Sequence, residues 1–258
     1  ALKNADPALA WLDGALHLDG VDDRIIVPHN EAFDFGKESF SISFWMKWPK
    51  ALPAGHEHIL TKGDYETAFP GEVGKRYEIY VSSGNLRFNI DDNVRKSQIQ
   101  VSMDPYLTGE WVHVAAVRDR KNKRLKLYAN GVLMPPSNPG NPNNDGLDVT
   151  GDISNTVGLF IGDASREDAP YQGGMDDLRF FRSALTDAQV AAIAAKASLV
   201  EVEEEQEPKK MVAAKPSEIP TMTAHFPLND GKGDSVADLI GGAPGKLMFA
   251  NDTVWSSG

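Results

Sequence analysis

The sequence predicts an all-β protein: a two-sheet antiparallel sandwich with one short helix towards the C-terminal end. Short apolar segments separated by turn residues recur over residues 15–182, a spacing typical of antiparallel sandwiches. In the stretch "SFSISFWMKW", apolar and polar residues alternate with a period of two, which is the pattern of a strand with one buried face. The hydrophobic fraction of 41% is enough for a packed core.

The strands are predicted in chain order from the same alternation. They begin with "ALHLDG", "RIIVP" and "SFSISFWMKW" and continue with "HILTKG", "RYEIYVSSGNLRFNI" and "WVHVAAVRD". In "RLKLYANGVLM", Asn130 and Gly131 lie between two alternating runs, which is the preferred two-residue hairpin turn. "PPSNPGNPNNDG" is a loop by composition, and "GLFIGD" and "MDDLRFFRSAL" are the last strands of this series.

Three segments are expected along the chain. Residues 1–196 form one β-domain, which ends in the helix "DAQVAAIAAK" with Thr186 as its N-cap. Residues 197–219 are acidic, then rich in lysine and proline, and are predicted to be a linker. Residues 220–258 begin a second β-unit, because "TAHFPLNDGKGD" has the pattern of a strand followed by a turn.

The two ends of the chain echo each other. "KLMFANDTVWSSG" is similar to "ALKNADPALAWLDG", so that Trp255 matches Trp11 and Gly258 matches Gly14. The first domain therefore lacks an opening strand of the kind that residues 220–258 contain. This segment could complete the first domain in cis, could be donated to a neighbouring chain, or could belong to an incomplete second copy in a tandem array. The tandem array accounts most simply for the duplicated tryptophan.

Several pieces in a fixed order carry a family resemblance. They include "AHFPLNDGKGDSVAD", "WLDGALHLDGVDDRIIVP", "GEWVHVAAVRD", "LKLYANGVL" and "GGMDDLRFFRSALTDAQVAAI". In this order they resemble the bacterial laminin-G-like jelly-roll family, within the concanavalin A-like lectin/glucanase fold. The resemblance implies two antiparallel sheets packed face to face, an exported protein, and interior positions for Trp45 and Trp111.

Two acidic turns are the candidate metal site. The residues are Asp19, Asp22 and Asp23 in "LDGVDD" and Asp176 and Asp177 in "GGMDD". Calcium binds several oxygen ligands at once, and the resemblance implies a calcium ion in this part of the fold. In the alternative interpretation, Asp22 and Asp23 cap a turn and Asp177 pairs with Arg179 or Arg24.

Other site types are not supported by the sequence. The closely spaced acids of related glucanases, E-x-D-x-x-E, are not matched by "NIDDNVRK", where Asp91 and Asp92 fit a hairpin turn. The absence of cysteine excludes disulfides and thiol catalysis. A net charge of −11 disfavours nucleic acid, and no apolar run reaches the ~20 residues of a membrane span. His56 and His58 have zinc-compatible spacing, although a loop entering a strand accounts for them better.

The sequence thus predicts a non-catalytic module that is secreted, periplasmic or at the cell surface. Its expected partner is a glycan or a surface protein, with calcium assisting. In the alternative, the chain is a structural spacer or filament subunit that associates with neighbouring copies of itself. Sugar-stacking candidates at predicted loops and strand ends are Tyr65, Phe69, Tyr106 and Tyr171, with Asn93 and Arg95 beside them.

Overall fold

The structure is a computed structural model that describes residues 14–49, 55–63, 74–141, 143–164, 169–196, 219–228, 235–240, 244–248 and 255–256. The first eight strands are β1 (Ala15–Asp19), β2 (Arg24–Val27), β3 (Phe40–Lys47), β4 (His56–Gly63), β5 (Lys75–Ser82), β6 (Asn85–Asp92), β7 (Lys96–Ser102) and β8 (Trp111–Asp119). Next come β9 (Arg124–Ala129), β10 (Val132–Leu133), β11 (Leu159–Ile161), β12 (Gln172–Phe181) and the helix α1 (Asp187–Lys196). The last strands are β13 (Met222–Phe226), β14 (Ser235–Val236), β15 (Gly245–Met248) and β16 (Trp255–Ser256).

These strands form two antiparallel sheets, as the sequence predicts. Sheet A has the order β10-β9-β8-β3-β12-β1-β16, and β13 also pairs with β12. Sheet B has the order β14-β15-β2-β11-β4-β5-β6-β7. Strands from both sheets contribute buried apolar side chains to one continuous core, so the fold is a jelly-roll sandwich.

The core is built from alternate residues of each strand. Phe35 stacks on Phe40 with ring centroids 4.3 Å apart, and the edge of Phe88 from sheet B meets Phe40 at 5.9 Å. The helix α1 lies on the outer face of sheet A, where Val190 and Ile193 belong to a second buried apolar cluster. Every residue of β3 except Lys47 is buried. The strand is thus covered on both faces, by the core on one side and by other parts of the chain on the outer side.

The predicted hairpin turn and the predicted helix N-cap are both confirmed. Asn130 and Gly131 both have positive φ, +48° and +80°, as the two-residue hairpin turn requires. Thr186 caps α1: its hydroxyl accepts a hydrogen bond from the Gln189 N–H at 3.3 Å, and its own N–H donates to Gln189 Oε1 at 2.9 Å.

A buried ion pair holds the long loop between β10 and β11. Arg118 on β8 has no exposed surface, and its Nε donates to Asp148 Oδ2 at 3.0 Å. Burial alone would raise the pKa of Asp148, but the Thr150 hydroxyl and the charges of Arg118 and Arg120 lower it. The loop thereby reaches β7, where the Asn144 carbonyl accepts from the Gln100 N–H at 3.1 Å.

The C-terminal strands pair with the body of the sandwich. On β12, β3 occupies one edge, while β1 and β13 lie end to end along the other. Strand β15 pairs with β2 in sheet B, and β16 pairs with β1 in sheet A. The predicted linker lies outside the described residues apart from Ile219.

The expectation for the two tryptophans needs a correction. Trp45 is buried, but it lies on the outer face of sheet A, with its ring 5.4 Å from that of His113. Trp111 is only partly buried, and the Lys47 ammonium lies 6.0 Å from its ring. The reason is the register: Phe44 and Met46 take the core positions, so Trp45 between them faces outward. Among the described residues, no helix is long and apolar enough to cross a membrane.

Candidate functional site

The outer face of strands β4–β7 is unusually polar for its burial. On β5, Tyr77, Ile79 and Val81 belong to the core, so the alternate residues point away from it. We call the outward side chains of β4–β7 the polar face; they include His56, His58, Arg76, Glu78, Tyr80, Arg87, Asn89, Lys96 and Gln98.

An aromatic stack occupies one part of the polar face. The ring of Tyr80 stacks on His56 at a centroid distance of 5.0 Å and on His58 at 5.5 Å. The guanidinium of Arg87 lies 5.7 Å from the same tyrosine ring. Strand register produces this arrangement, because His58 and Arg87 are the residues opposite Tyr80 on the two neighbouring strands.

A hydrogen-bonded row crosses the same strands beside the stack. Glu78, Asn89 and Gln98 face one another in register on β5, β6 and β7. The Asn89 amide donates to Glu78 Oε1, and the Tyr80 hydroxyl donates to Gln98 Oε1 at 2.8 Å. The Gln98 amide in turn donates to Asn144 Oδ1 at 2.6 Å, which joins the row to the long loop.

Glu78 is the most perturbed group of this face. Its side chain is about 1% exposed, and burial raises its pKa to about 7, although the charge of Lys96 and the hydrogen bond from Asn89 act in the opposite direction. The Arg76 guanidinium lies 3.3 Å from Glu78 Oε1, and it also bonds Asp91 at 3.0 Å. Glu78 therefore changes protonation near neutral pH.

Three polar atoms of the face have no hydrogen-bond partner within the described structure. They are Glu78 Oε2, Asn89 Oδ1 and Arg87 Nε, and none of the three atoms is accessible at the surface. Glu78 Oε2 also lies 3.7 Å from His58 Nδ1, within ion-pair distance. A buried polar atom without a hydrogen bond costs roughly 1–3 kcal/mol, so these atoms lower the stability of the face.

The polar face has a buried floor and an accessible rim. Tyr80 and Glu78 form the floor, while His56 and Lys96 are exposed and Arg87 is partly exposed. Aromatic surface flanked by a few directed polar groups is the usual composition of a small-molecule binding site. Arg76, Asn89 and Gln98 engage its polar floor in hydrogen bonds and ion pairs.

The three aspartates of the first acidic turn lie close together. One ligand atom from each of Asp19, Asp22 and Asp23 lies within 4.8 Å of the others. Calcium holds oxygens at 2.3–2.6 Å, so oxygens on opposite sides of the ion are about 5 Å apart and this group fits. The Asp19 N–H donates to Asp23 Oδ2 at 3.0 Å, and the Val21 N–H donates to Asp19 Oδ1 at 2.7 Å. Burial, followed by the charges of the two neighbouring aspartates, raises the pKa of Asp23 despite the first of these bonds.

The second acidic pair does not join this group. Asp19 is opposite Gln172 on β12, so Asp176 lies four residues further along that strand, roughly 13 Å away at 3.3 Å per residue. Asp177 uses both carboxylate oxygens, with Arg179 Nη2 at 2.6 Å from one and His225 Nε2 at 2.7 Å from the other. Asp176 is buried opposite Trp45, and burial raises its pKa to about 8.

The remaining candidates occupy several different environments. His56 and His58 lie within β4 itself rather than in a loop that enters it. Tyr171 is fully buried and its hydroxyl donates to the Lys47 carbonyl at 3.2 Å, so it offers no stacking surface. Tyr106 packs against the core. The "NIDDNVRK" segment forms a hairpin, but Asp91 and Asp92 are the last residues of β6 rather than turn residues, and Asn93 and Arg95 lie in the turn. Tyr65 and Phe69 lie outside the described residues.

Sequence analysis did not identify the polar face. The alternation in "RYEIYVSSGNLRFNI" does separate core residues from outward ones, which assigns Glu78, Tyr80 and Arg87 to one side. It gives no sign that outward residues are buried, nor that β4 and β7 add His58 and Gln98 to them. Those facts follow from strand order, which a single sequence does not specify.

Solved structures share this fold at low sequence identity. A candidate carbohydrate binding protein from Bacteroides ovatus is 16% identical, with a TM-score of 0.55 over 95% of this chain and 60% of its own length. The receptor binding domain of botulinum neurotoxin D is 18% identical, with a TM-score of 0.53 over 71% of this chain and 44% of its own. The binding domain of Paraclostridial Mosquitocidal Protein 1 is 19% identical, with a TM-score of 0.52 over 71% of this chain and 46% of its own. The chain thus spans 60% or less of each of these proteins.

A family model provides the more specific assignment. No curated protein matches the sequence significantly. The model for a laminin-G-like family, described as the concanavalin A-like lectin/glucanases superfamily, matches residues 19–191, which include strands β2 to β12. This chain therefore belongs to the concanavalin A-like lectin/glucanases superfamily.

Proposed function

We propose that this chain is a non-catalytic recognition module that binds a glycan through the polar face of β4–β7. The observation that carries the proposal is the accessible group of His56 and Arg87 beside the ring of Tyr80: the Tyr80 and His56 rings stack at 5.0 Å, and the Arg87 guanidinium lies 5.7 Å from the tyrosine ring. A sugar ring offers hydroxyls to a guanidinium and an apolar face to an aromatic ring. Structures with this fold include a candidate carbohydrate binding protein and receptor binding domains.

The accessible rim indicates how a glycan would be oriented. Arg87 and Lys96 provide donors at the surface, while Asp91 provides an acceptor opposite Lys96. A sugar unit over His56 would lie within reach of the Arg87 guanidinium, which already sits against the ring of Tyr80. The floor would then act mainly by holding the rim side chains in place through its hydrogen-bonded row.

We further propose that calcium binds at Asp19, Asp22 and Asp23 and stabilises the β1–β2 turn. Three carboxylates at this separation repel one another, and a divalent cation would relieve that repulsion. Asp176 and Asp177 have no part in this site. The proposed location of the protein is extracellular or periplasmic, where calcium and surface glycans are both available.

A glycan-array screen of the purified chain, run with calcium and with a chelator, tests both statements. We expect binding to a defined set of glycans, and higher thermal stability in calcium than in chelator. Asp22→Asn should abolish the calcium-dependent rise in stability, whereas Asp104→Asn, an exposed carboxylate elsewhere, should not. An array without binding under either condition would contradict the glycan proposal. Equal stability with and without calcium would contradict the metal proposal alone.

A second candidate function is structural association between copies of the chain. The observation that favours it is the pairing of β13, β15 and β16 with the edges of strands that precede the linker. Analytical ultracentrifugation over a range of protein concentrations tests this candidate. A monomer at every concentration would contradict it.

A further inference from the structure

The C-terminal segment, residues 219–256, is attached to the rest of the sandwich through strand edges. In β13, Ala224 pairs with Phe180 of β12, and Phe226 pairs with Leu178. Further along, Lys246 of β15 pairs with Ile26 of β2. The segment therefore adds backbone hydrogen bonds to an edge of each sheet.

The same segment supplies part of the core. Ala224, Phe226, Leu228 and Val236 have no exposed surface and belong to the main apolar cluster. The ring of Phe226 meets that of Phe180 edge to face, with centroids 6.4 Å apart. Removing a buried phenylalanine side chain typically costs about 3–5 kcal/mol, so the sandwich depends on this segment for its stability.

Polar contacts fix the register of the segment. The Thr223 hydroxyl donates to the Ala32 carbonyl at 2.7 Å. His225 Nε2 lies 2.7 Å from Asp177 Oδ1, and the Asp177 N–H donates to the Pro227 carbonyl at 3.2 Å. These contacts are specific to one alignment of β13 on β12, so the acceptor edge is selective for this sequence.

The stretch of chain between α1 and the C-terminal segment is long. About 22 residues separate α1 from Ile219, and a chain of that length can span at most roughly 75 Å. Ile219 and Met222 pack against the same apolar cluster that contains Val190 and Ile193 of α1, so the two ends of the linker approach one cluster. The linker is thus much longer than pairing within one chain requires, and its spare length can reach a neighbouring molecule.

We propose that the C-terminal segment is an exchangeable strand donor, and that a second copy of the chain can provide it in place of the chain's own. An edge of β12 without β13 exposes unpaired backbone groups and an apolar gap, which is a surface that favours strand addition. A second copy carries the same Thr223, His225 and Phe226, so its segment can make the contacts that the chain's own segment makes in the structure. Copies of the chain would then link through strand exchange, with the linker as the connection.

Engineered cysteines test this directly, because the natural sequence contains none. Ile26 and Lys246 are paired across β2 and β15, and both are at least partly accessible. Directly opposed residues of antiparallel strands have Cα separations of about 4.5–5.5 Å, which suits a disulfide. The chain carrying both Ile26→Cys and Lys246→Cys should form a disulfide within one molecule at low protein concentration.

Strand exchange between chains is measured by mixing two variants that each carry one cysteine. Ile26→Cys and Lys246→Cys chains are unfolded together, refolded at high concentration and oxidised, and a disulfide-linked heterodimer is the expected product. The control is the pair Asn85→Cys and Ser102→Cys, which are opposed on β6 and β7, two strands that both precede the linker, and should give no heterodimer. Heterodimer at the control level would overturn exchange. Failure of the double variant to crosslink would overturn the pairing on which exchange depends.

Discussion

Glu78 shows how the polar face can be costly for the fold and useful for binding. Its carboxyl group lies under the outer surface of sheet B, and burial raises its pKa to about 7 from an ordinary value of 4.5. Glu78 Oε2 is buried without a hydrogen bond and lies 3.7 Å from His58 Nδ1. Perturbed groups of this kind are common at binding sites.

Glu78→Gln is expected to reduce the pH dependence of stability. The folded state binds a proton more tightly at Glu78 than the unfolded state does, so this carboxyl group favours folding at low pH. Its contribution is present below about pH 4.5 and is lost as the pH rises to about 7. We therefore expect the amide to raise the free energy of unfolding by about 1–3 kcal/mol at pH 8, with little difference at pH 4.

Urea unfolding of both proteins across that pH range provides the measurement. Burial also raises the pKa of Glu57 to about 7 and that of Asp176 to about 8, so the variant retains a smaller decline in stability. Parallel pH profiles for the two proteins would show that Glu78 has an ordinary pKa in the folded state.

At the scale of elements, sequence periodicity predicted most strands correctly because it reflects burial directly. Strand β3 alternates Phe40, Ile42, Phe44 and Met46 into the core, and the Asn130–Gly131 turn follows from the φ angles that only a few residues tolerate. The burial of Trp45 was not predictable in the same way. Its outward direction follows from the alternation, but its burial depends on which neighbours cover the outer face of sheet A.

The candidate sites also differ in whether a local stretch of sequence predicts them. The group of Asp19, Asp22 and Asp23 was predictable because all three lie in one short turn. The separation of Asp176 from them was not, because it depends on the register of β1 against β12. The polar face combines residues from four strands, and no local pattern links them.

Phe226→Asp is expected to destabilise the whole sandwich. The phenylalanine fills the core beside Phe180, and an aspartate there would be buried without a partner of opposite charge among its described core neighbours. We expect the free energy of unfolding to fall by about 4 kcal/mol or more. The matched control is Leu239→Asp, since Leu239 lies in the same segment but is 64% exposed.

Thermal unfolding followed by circular dichroism compares the three proteins. A Phe226→Asp protein that melts with the wild type would mean that the C-terminal segment is not part of the folded core. We expect the melting temperature of Leu239→Asp to be close to that of the wild type and the melting temperature of Phe226→Asp to be well below it.

At the scale of the whole molecule, the two sheets differ in what lies on their outer faces. Sheet A holds the helix α1 on its outer face, where Val190 and Ile193 cover Tyr128 and Phe181. Sheet B has polar side chains on the outer face of its strands β4–β7. The C-terminal segment contributes strands to both sheets. The outer face of sheet A is thus partly covered by packing, whereas the face that we propose for recognition lies on sheet B, and fold membership alone would not have distinguished them.

The central claim is that the β4–β7 face binds glycan, and Arg87→Ala tests it most directly. Arg87 lies at the rim beside Tyr80 and its Nε has no partner within the described structure, so its removal should affect a ligand more than the fold. Arg124→Ala removes an exposed arginine from β9 in sheet A and serves as the control. The measurement is calorimetric titration of each protein with the strongest glycan from the array. We expect Arg87→Ala to weaken binding about tenfold or more, equivalent to about 1.4 kcal/mol, and Arg124→Ala to bind like the wild type. Equal affinity of all three proteins would place the glycan elsewhere on the molecule and contradict the account.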